Sequence, residues 1–329
     1  KMSKASPLSN DLKLISGRAN PILADEIASF LAVSLCDIRI NTFPDSETHV
    51  QVEESLRGKD VFIIQPTCPP VNENLMELLV TIDACRRASA KQITAIIPYY
   101  GYGRQDHKTT GREPITAKLV ADIITVTGAN RVVSVDLHAS PIQGFFNIPM
   151  DHLTAVPLLA EYFKKPKFKD AVIVSPDLGG TKLAEKYTDI LHLPMAVMTK
   201  RRKGTGGKDV EFFVSMGNVK GKTVIITDDV ITSGSTMQLV EILLDSGAKD
   251  VYMAITHPIL AENALKRIRE SSVKQLIVTN TIQVPPTKQL DGKIKVLSIA
   301  PLLAKTIRNI HDNKSVSQIF KEQHIVFPV

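Results

Sequence analysis

Eight short apolar runs recur along the chain, each followed by a polar or glycine-bearing turn and then by a segment of helical periodicity. They are Val61–Gln65, Ile93–Pro98, Val132–Leu137, Ala171–Ser175, Val224–Thr227, Val251–Thr256, Leu276–Thr279 and Ile294–Ile299. Several are apolar at consecutive rather than alternate positions, which is how a strand reads when helices cover both of its faces. The clearest helical patterns between them are Asn74–Ala90, Pro114–Gly128, Thr181–Tyr187, Thr236–Ser246 and Glu262–Glu270. Pro114 suits a first helical turn, and Gly128 and Gly247 stand where C-terminal caps are expected. Alternation of this kind predicts α/β architecture, doubly wound with mostly parallel sheets. The rhythm runs once before and once after about residue 155. Two similar α/β domains are therefore expected, over 1–155 and 156–309, with a tail at about 310–329 returning to the first. A length of 329 residues accommodates that count.

Composition narrows the class without choosing a function. With 43% hydrophobic and 22% charged residues, a disordered or fibrous chain is excluded. The net charge of +6 suits anionic partners of any kind. No aromatic stacking platform accompanies it, so no nucleic-acid partner is expected. Cys36, Cys68 and Cys85 are widely spaced and form no CxxC pair. A disulfide framework and a structural zinc site are not expected, and a reducing cytoplasm is the natural reading. The charge-free stretches are short, and no membrane span is expected.

The most informative segment is Thr223-Val-Ile-Ile-Thr-Asp-Asp-Val-Ile-Thr-Ser-Gly-Ser-Thr236. An apolar strand leads into adjacent carboxylates, Asp228 and Asp229. A Thr/Ser/Gly turn follows, and then a helix presenting Met237, Val240 and Leu244 on one face. A turn ahead of a helix offers backbone N–H groups and a positive dipole end to an anion. Hydroxyls of Thr232, Ser233, Ser235 and Thr236 add donors, and Gly234 permits close backbone approach. The carboxylates stand about a sugar's length away, suited to accept from ribose hydroxyls. A second candidate, Gly217-Asn-Val-Lys-Gly-Lys-Thr223, is one residue too short for a P-loop and precedes a strand rather than a helix.

This cradle resembles the ribose-5-phosphate signature of the phosphoribosyltransferase fold. That fold includes enzymes that consume phosphoribosyl pyrophosphate (PRPP) and enzymes that make it. Four further segments discriminate: Phe43-Pro-Asp-Ser-Glu47, Ile97-Pro-Tyr-Tyr-Gly-Tyr-Gly-Arg-Gln-Asp106, Asp136-Leu-His-Ala-Ser140 and Ser175-Pro-Asp-Leu-Gly-Gly180. In that order, with the cradle, they resemble the ribose-phosphate pyrophosphokinase family from about Leu12 to Phe320. The resemblance implies pyrophosphoryl transfer from ATP to ribose 5-phosphate, giving PRPP and AMP. Asp45, Ser46 and Glu47 then match the adenine-side loop, with Phe43 as a stacking surface. Arg104, Gln105 and Asp106 match the ATP-holding loop. His138 and Asp177 match magnesium positions, and Asp136, two residues before His138, would point the same way on a strand. Lys200 and Arg202 match the catalytic pair of a flexible loop, Arg202 also reaching substrate, with Gly204-Thr-Gly-Gly207 as a hinge. Asp228, Asp229 and Thr232–Thr236 match the ribose-5-phosphate site.

The family also implies Mg²⁺, a homo-oligomer (a hexamer built from dimers, with the Phe43 loop completing a neighbour's site) and activation by inorganic phosphate in some members. Ser55, Arg57, Ser140, Gln143, Asp151, Ser315 and Ser317 match the regulatory site, where His152 replaces an amide. Many members carry Asp-Thr-x-Gly-Thr where this chain reads Thr232-Ser-Gly-Ser-Thr236. That change brings the cradle closer to the phosphoribosyltransferases, which remain the alternative enzyme class. A synthetase-like regulatory subunit is the non-catalytic alternative.

Overall fold

The structure is a computed structural model that describes residues 11–203, 209–261, 263–317 and 319, without the side chains of 200–203 and 209–211. The described residues fall into two compact units. The first takes in residues up to 154 together with 281–283 and those from 298 onward, and the second takes in 155–280 and 284–297.

In the first unit the strands are β1 (Leu12–Ser16), β2 (Ile38–Thr42), β3 (Thr48–Val52), β4 (Asp60–Ile64), β5 (Gln92–Ile97), β6 (Arg131–Val135) and β7 (Met150–Leu153). Its helices up to β7 are α1 (Pro21–Leu31), α2 (Val71–Arg87) and α3 (Thr116–Thr127). Five strands form one parallel sheet in the order β1-β4-β5-β6-β7. β2 and β3 form a separate antiparallel hairpin. Val61, Phe62, Ile63 and Ile64 are each 1% exposed or less. Consecutive burial of that kind needs cover on both faces, and each such side chain contributes about 1.5–3 kcal/mol. On one face Ile63, Ala95 and Val132 pack with Leu78 and Ile82 of α2 and with Val120 and Ile124 of α3.

The second unit contains α4 (Val156–Tyr162), β8 (Val172–Ser175), α5 (Thr181–Leu191), β9 (Met195–Lys203), β10 (Asp209–Met216), β11 (Thr223–Ile231), α6 (Gln238–Asp245), β12 (Asp250–Pro258), α7 (Ala264–Glu270), β13 (Gln275–Thr279) and β14 (Ile294–Leu297). Its seven strands run β10-β9-β8-β11-β12-β13-β14, and only the edge strand β10 is antiparallel. A core of Val174, Ile226, Met253, Leu276, Val240 and Leu243 closes one face. The chain then returns to the first unit, where α8 (Ala300–His311) packs on α1.

Three local expectations change. α3 begins at Thr116, so Pro114 lies outside it. The start is fixed instead by Gln105, whose carbonyl accepts from the Ala117 N–H at 3.1 Å and whose Oε1 accepts from the Thr116 hydroxyl at 2.6 Å. β11 does not stop before the paired carboxylates but stays in register with β12 as far as Ile231, opposite Pro258. β6, by contrast, ends at Val135, and Asp136 takes a positive φ of 37°. The two-residue strand repeat therefore does not extend from Asp136 to His138.

Candidate active site

In a parallel sheet, loops at the carboxyl ends of the strands gather on one edge, where ligands bind. β8 and β11 are hydrogen-bonded neighbours, so Asp177, after β8, and the Thr232–Thr236 turn, after β11, leave the second sheet on the same edge, with Asp228 and Asp229 in the last part of β11. Asp228 accepts the Asp229 N–H at 2.9 Å. Burial pushes the Asp228 carboxyl well above its usual range, and the charges of Asp229 and then Asp177 push it further. A hydroxyl donor or a cation brought to this edge relieves that cost. Asp177 itself is exposed and folds back, its Oδ1 accepting the Gly180 N–H at 2.9 Å just before α5.

The turn after β11 is held from behind by α7. Gly234 takes φ +73°, a conformation that excludes most side chains, and a Cβ there would lie 3.1 Å from the Ala264 Cα. The Thr232 carbonyl accepts from the Ala261 N–H at 2.9 Å. The Ser233 carbonyl accepts from the Arg267 guanidinium at 3.0 Å. A 3-10 turn over Ser235–Met237 then leads into α6, so the helix proper starts two residues later than its pattern suggests. Arg267 was not legible as a site residue. Its segment, Leu265-Lys-Arg-Ile-Arg-Glu270, reads as an ordinary charged helix, and only the tertiary contact singles it out.

Lys200 and Arg202 lie on β9, in register with Phe212 and Val210 of β10. Their side chains, and residues 204–207, lie outside those described.

In the first unit the loops after the parallel neighbours β5 and β6 leave the same kind of edge. Arg104, Gln105 and Asp106 follow β5. Arg104 and Gln105 are exposed, the Gln105 N–H donates to the Tyr102 carbonyl at 2.9 Å, and Asp106 pairs with His107 at 2.6 Å. Beneath them the Tyr100 hydroxyl, buried, donates to the Ala117 carbonyl at 2.9 Å and ties the loop to α3. After β6, Asp136 is buried and His138 is exposed. Phe43 opens the turn between β2 and β3. It is 47% exposed, with its ring 5.3 Å from that of His49. The Phe43 N–H donates to the Glu47 carbonyl at 2.8 Å, and Ser46 turns the chain with φ 76°. Asp45, Ser46 and Glu47 all face solvent.

Among the described residues, no group of three or more His, Cys, Asp or Glu side chains could hold a metal ion by itself. The donors near the strand ends are nevertheless of the right kind. The oxygens of Asp136 and Asp177 suit Mg²⁺, which keeps most of its shell as water and substrate phosphate, whereas the His138 nitrogen is a poorer ligand. Of the regulatory positions, Asp151, Ser315 and Ser317 line one open groove with Arg131 and Lys314. There Arg131 pairs with Asp151 at 2.6 Å, and the Ser315 and Ser317 hydroxyls are 2.7 Å apart. Ser55, Arg57, Ser140 and Gln143 do not line that groove. His152 is engaged locally, its Nε2 accepting from the Leu137 N–H at 2.9 Å. No helix among the described residues is long and apolar enough to cross a membrane.

Residues 12–128 match the N-terminal domain of ribose phosphate pyrophosphokinase, and residues 207–321 match the phosphoribosyl synthetase-associated domain. A ribose-phosphate pyrophosphokinase of Caldanaerobacter subterraneus subsp. tengcongensis is 50% identical, over 94% of this chain and 98% of that protein. Its namesake in Bacillus subtilis is 48% identical, over 94% and 97%. The crystal structure of phosphoribosylpyrophosphate synthetase from Mycobacterium smegmatis superposes with a TM-score of 0.87 at 45% identity, covering 92% of this chain and all of that one.

Proposed function

The chain belongs to the ribose-phosphate pyrophosphokinase family, and from that premise we propose that it transfers the β,γ-pyrophosphoryl group of ATP to the anomeric hydroxyl of ribose 5-phosphate, giving PRPP and AMP. The observation that carries this reading is the cradle. Adjacent carboxylates in the last part of β11, one of them driven up by burial, stand ahead of an α7-braced hydroxyl turn. Carboxylates that gain from a hydroxyl donor and a turn suited to a phosphate are what a sugar phosphate requires.

Asp228 and Asp229 orient the ribose hydroxyls, and Thr232–Thr236 hold the 5-phosphate. Arg104 grips ATP phosphates with its planar fork of donors, supported by Gln105 and Asp106. Phe43 stacks on adenine, and Asp45, Ser46 and Glu47 read its edge. The anomeric oxygen attacks the β-phosphorus, the bond to the α-phosphate oxygen breaks, and AMP departs. Catalysis is positioning plus charge stabilisation, with Lys200 and Arg202 neutralising the transferring group and the leaving oxygen. Asp136 and His138 of the first unit, and Asp177 of the second, would each offer donors to Mg²⁺, which would supply positive charge to the substrate phosphates. The exposed Phe43 turn completes the ATP site of a second copy in a homo-oligomer, a hexamer built from dimers. Inorganic phosphate acts through the Asp151–Ser315–Ser317 groove, in a cytoplasmic enzyme.

Purified protein with ATP, ribose 5-phosphate and Mg²⁺, with and without phosphate, tests the reading. Stoichiometric AMP and PRPP support it. No PRPP under either condition refutes it.

A further inference from the structure

Glu77 of α2 is a buried carboxylate that the proposed chemistry does not use. Its side chain is 3% exposed. The Arg18 backbone N–H donates to its Oε1 at 2.6 Å, the Arg18 Nε donates to its Oε2 at 2.6 Å, and Gln65 Nε2 donates to Oε1 at 3.0 Å. Gln65 fits there because residue 17 is glycine: a Cβ on Gly17 would fall 2.1 Å from the Gln65 Oε1. Only Glu77 is buried, Arg18 being 45% exposed, and a pair that reaches solvent adds little stability. What this pair fixes is the direction of the Arg18 guanidinium. Its Nη1 reaches out and donates to the Thr42 hydroxyl at 2.9 Å.

Thr42 ends β2, immediately before Phe43, and the β2–β3 hairpin lies outside the five-stranded sheet. At the far end of the hairpin, Glu54 bonds Lys13 of β1 and the Asp37 N–H. The Arg18–Thr42 bond secures the end that carries the turn. We propose that Arg18 is a positioning residue for ATP binding. Oriented by Glu77, it sets the Phe43–Glu47 turn through Thr42. The inference rests on the reading above, in which that turn takes adenine.

The test is steady-state kinetics of the full chain with Thr42→Val, which removes the acceptor at an exposed position and keeps a β-branched strand residue. The expected result is a KM for ATP raised about fivefold, the worth of one hydrogen bond, with the KM for ribose 5-phosphate, kcat and Tm unchanged. Thr42→Ser, which restores the hydroxyl, returns KM to the parent value. An unchanged KM for ATP overturns the proposal. So does a rise in both KM values or a fall in Tm, since either makes Thr42 merely structural. Arg18→Lys, which cannot hold Glu77 and Thr42 with one planar fork, gives the same selective rise. Failure of the parent protein to form PRPP would refute the catalytic reading instead, and is seen before any variant is made.

Discussion

Replacing Gly234 by alanine places a methyl group where the structure has no room for one. Two costs arise, and both are read from the geometry. A φ of +73° costs an L-residue about 1–2 kcal/mol. The new Cβ also meets the Ala264 Cα at 3.1 Å and the Ala264 carbonyl oxygen at 3.4 Å. Those are backbone atoms of α7 and cannot swing aside as a side chain would, which adds on the order of 1 kcal/mol of overpacking. Together about 2–3 kcal/mol is lost, and at about 2–4 °C per kcal/mol for a unit of this size the Tm falls by about 4–12 °C. Some of the strain is relieved by moving the turn away from α7, which displaces the groups assigned to the 5-phosphate. The KM for ribose 5-phosphate then rises about tenfold at temperatures where the variant is still folded, while the KM for ATP holds. Differential scanning calorimetry with initial-rate kinetics measures both. A Tm within about 1 °C of the parent, with an unchanged KM for ribose 5-phosphate, would refute the argument that α7 sets the shape of the turn.

Arg267→Ala removes the brace on the Ser233 carbonyl and raises the KM for ribose 5-phosphate about fivefold with little change for ATP. Asp228→Asn trades activity for stability. The native Asp228 carboxyl is raised by burial and by Asp229, so the folded state binds its proton more tightly than the unfolded chain. Its contribution to stability is full at low pH and is lost as pH rises through the folded value. The asparagine variant therefore melts a few degrees higher at neutral pH and loses less stability on going from acid to neutral, while kcat/KM for ribose 5-phosphate falls. An unchanged Tm in thermal melts across pH would show that Asp228 carries no such penalty. Lys200→Ala lowers kcat by about 10²–10³-fold in single-turnover assays with saturating substrates, as loss of a transition-state donor does. A change confined to KM would assign the lysine to substrate binding alone.

The short apolar runs declared themselves as strands because a parallel sheet buries both faces, as the consecutive burial of Val61–Ile64 shows. The hairpin of β2 and β3 was less legible. Its pattern, Ile-Arg-Ile-Asn-Thr and Thr-His-Val-Gln-Val, is partly exposed and lacks a continuous apolar run. α1 carried a readable start in Asn20-Pro21, where the Asn20 side chain accepts from the Leu23 N–H at 3.3 Å, yet it falls between segments of stronger periodicity. The end of β6 is hidden in the sequence because Val132–Leu137 is apolar enough to suggest a longer strand, whereas Asp136 turns the backbone.

The sequence by itself determined the chemistry on offer: paired carboxylates, a hydroxyl turn, an Arg-Gln-Asp loop and the alternation that makes a parallel sheet. Those are properties of neighbours along the chain, and a short window contains them. Tertiary structure alone decided which distant groups support them. Arg267 bonds a carbonyl 34 positions before it, and Glu77 holds an arginine 59 positions before it. Hydrogen bonds and close contacts depend on distance in space, and over such separations only the folded sheet and its covering helices set that distance.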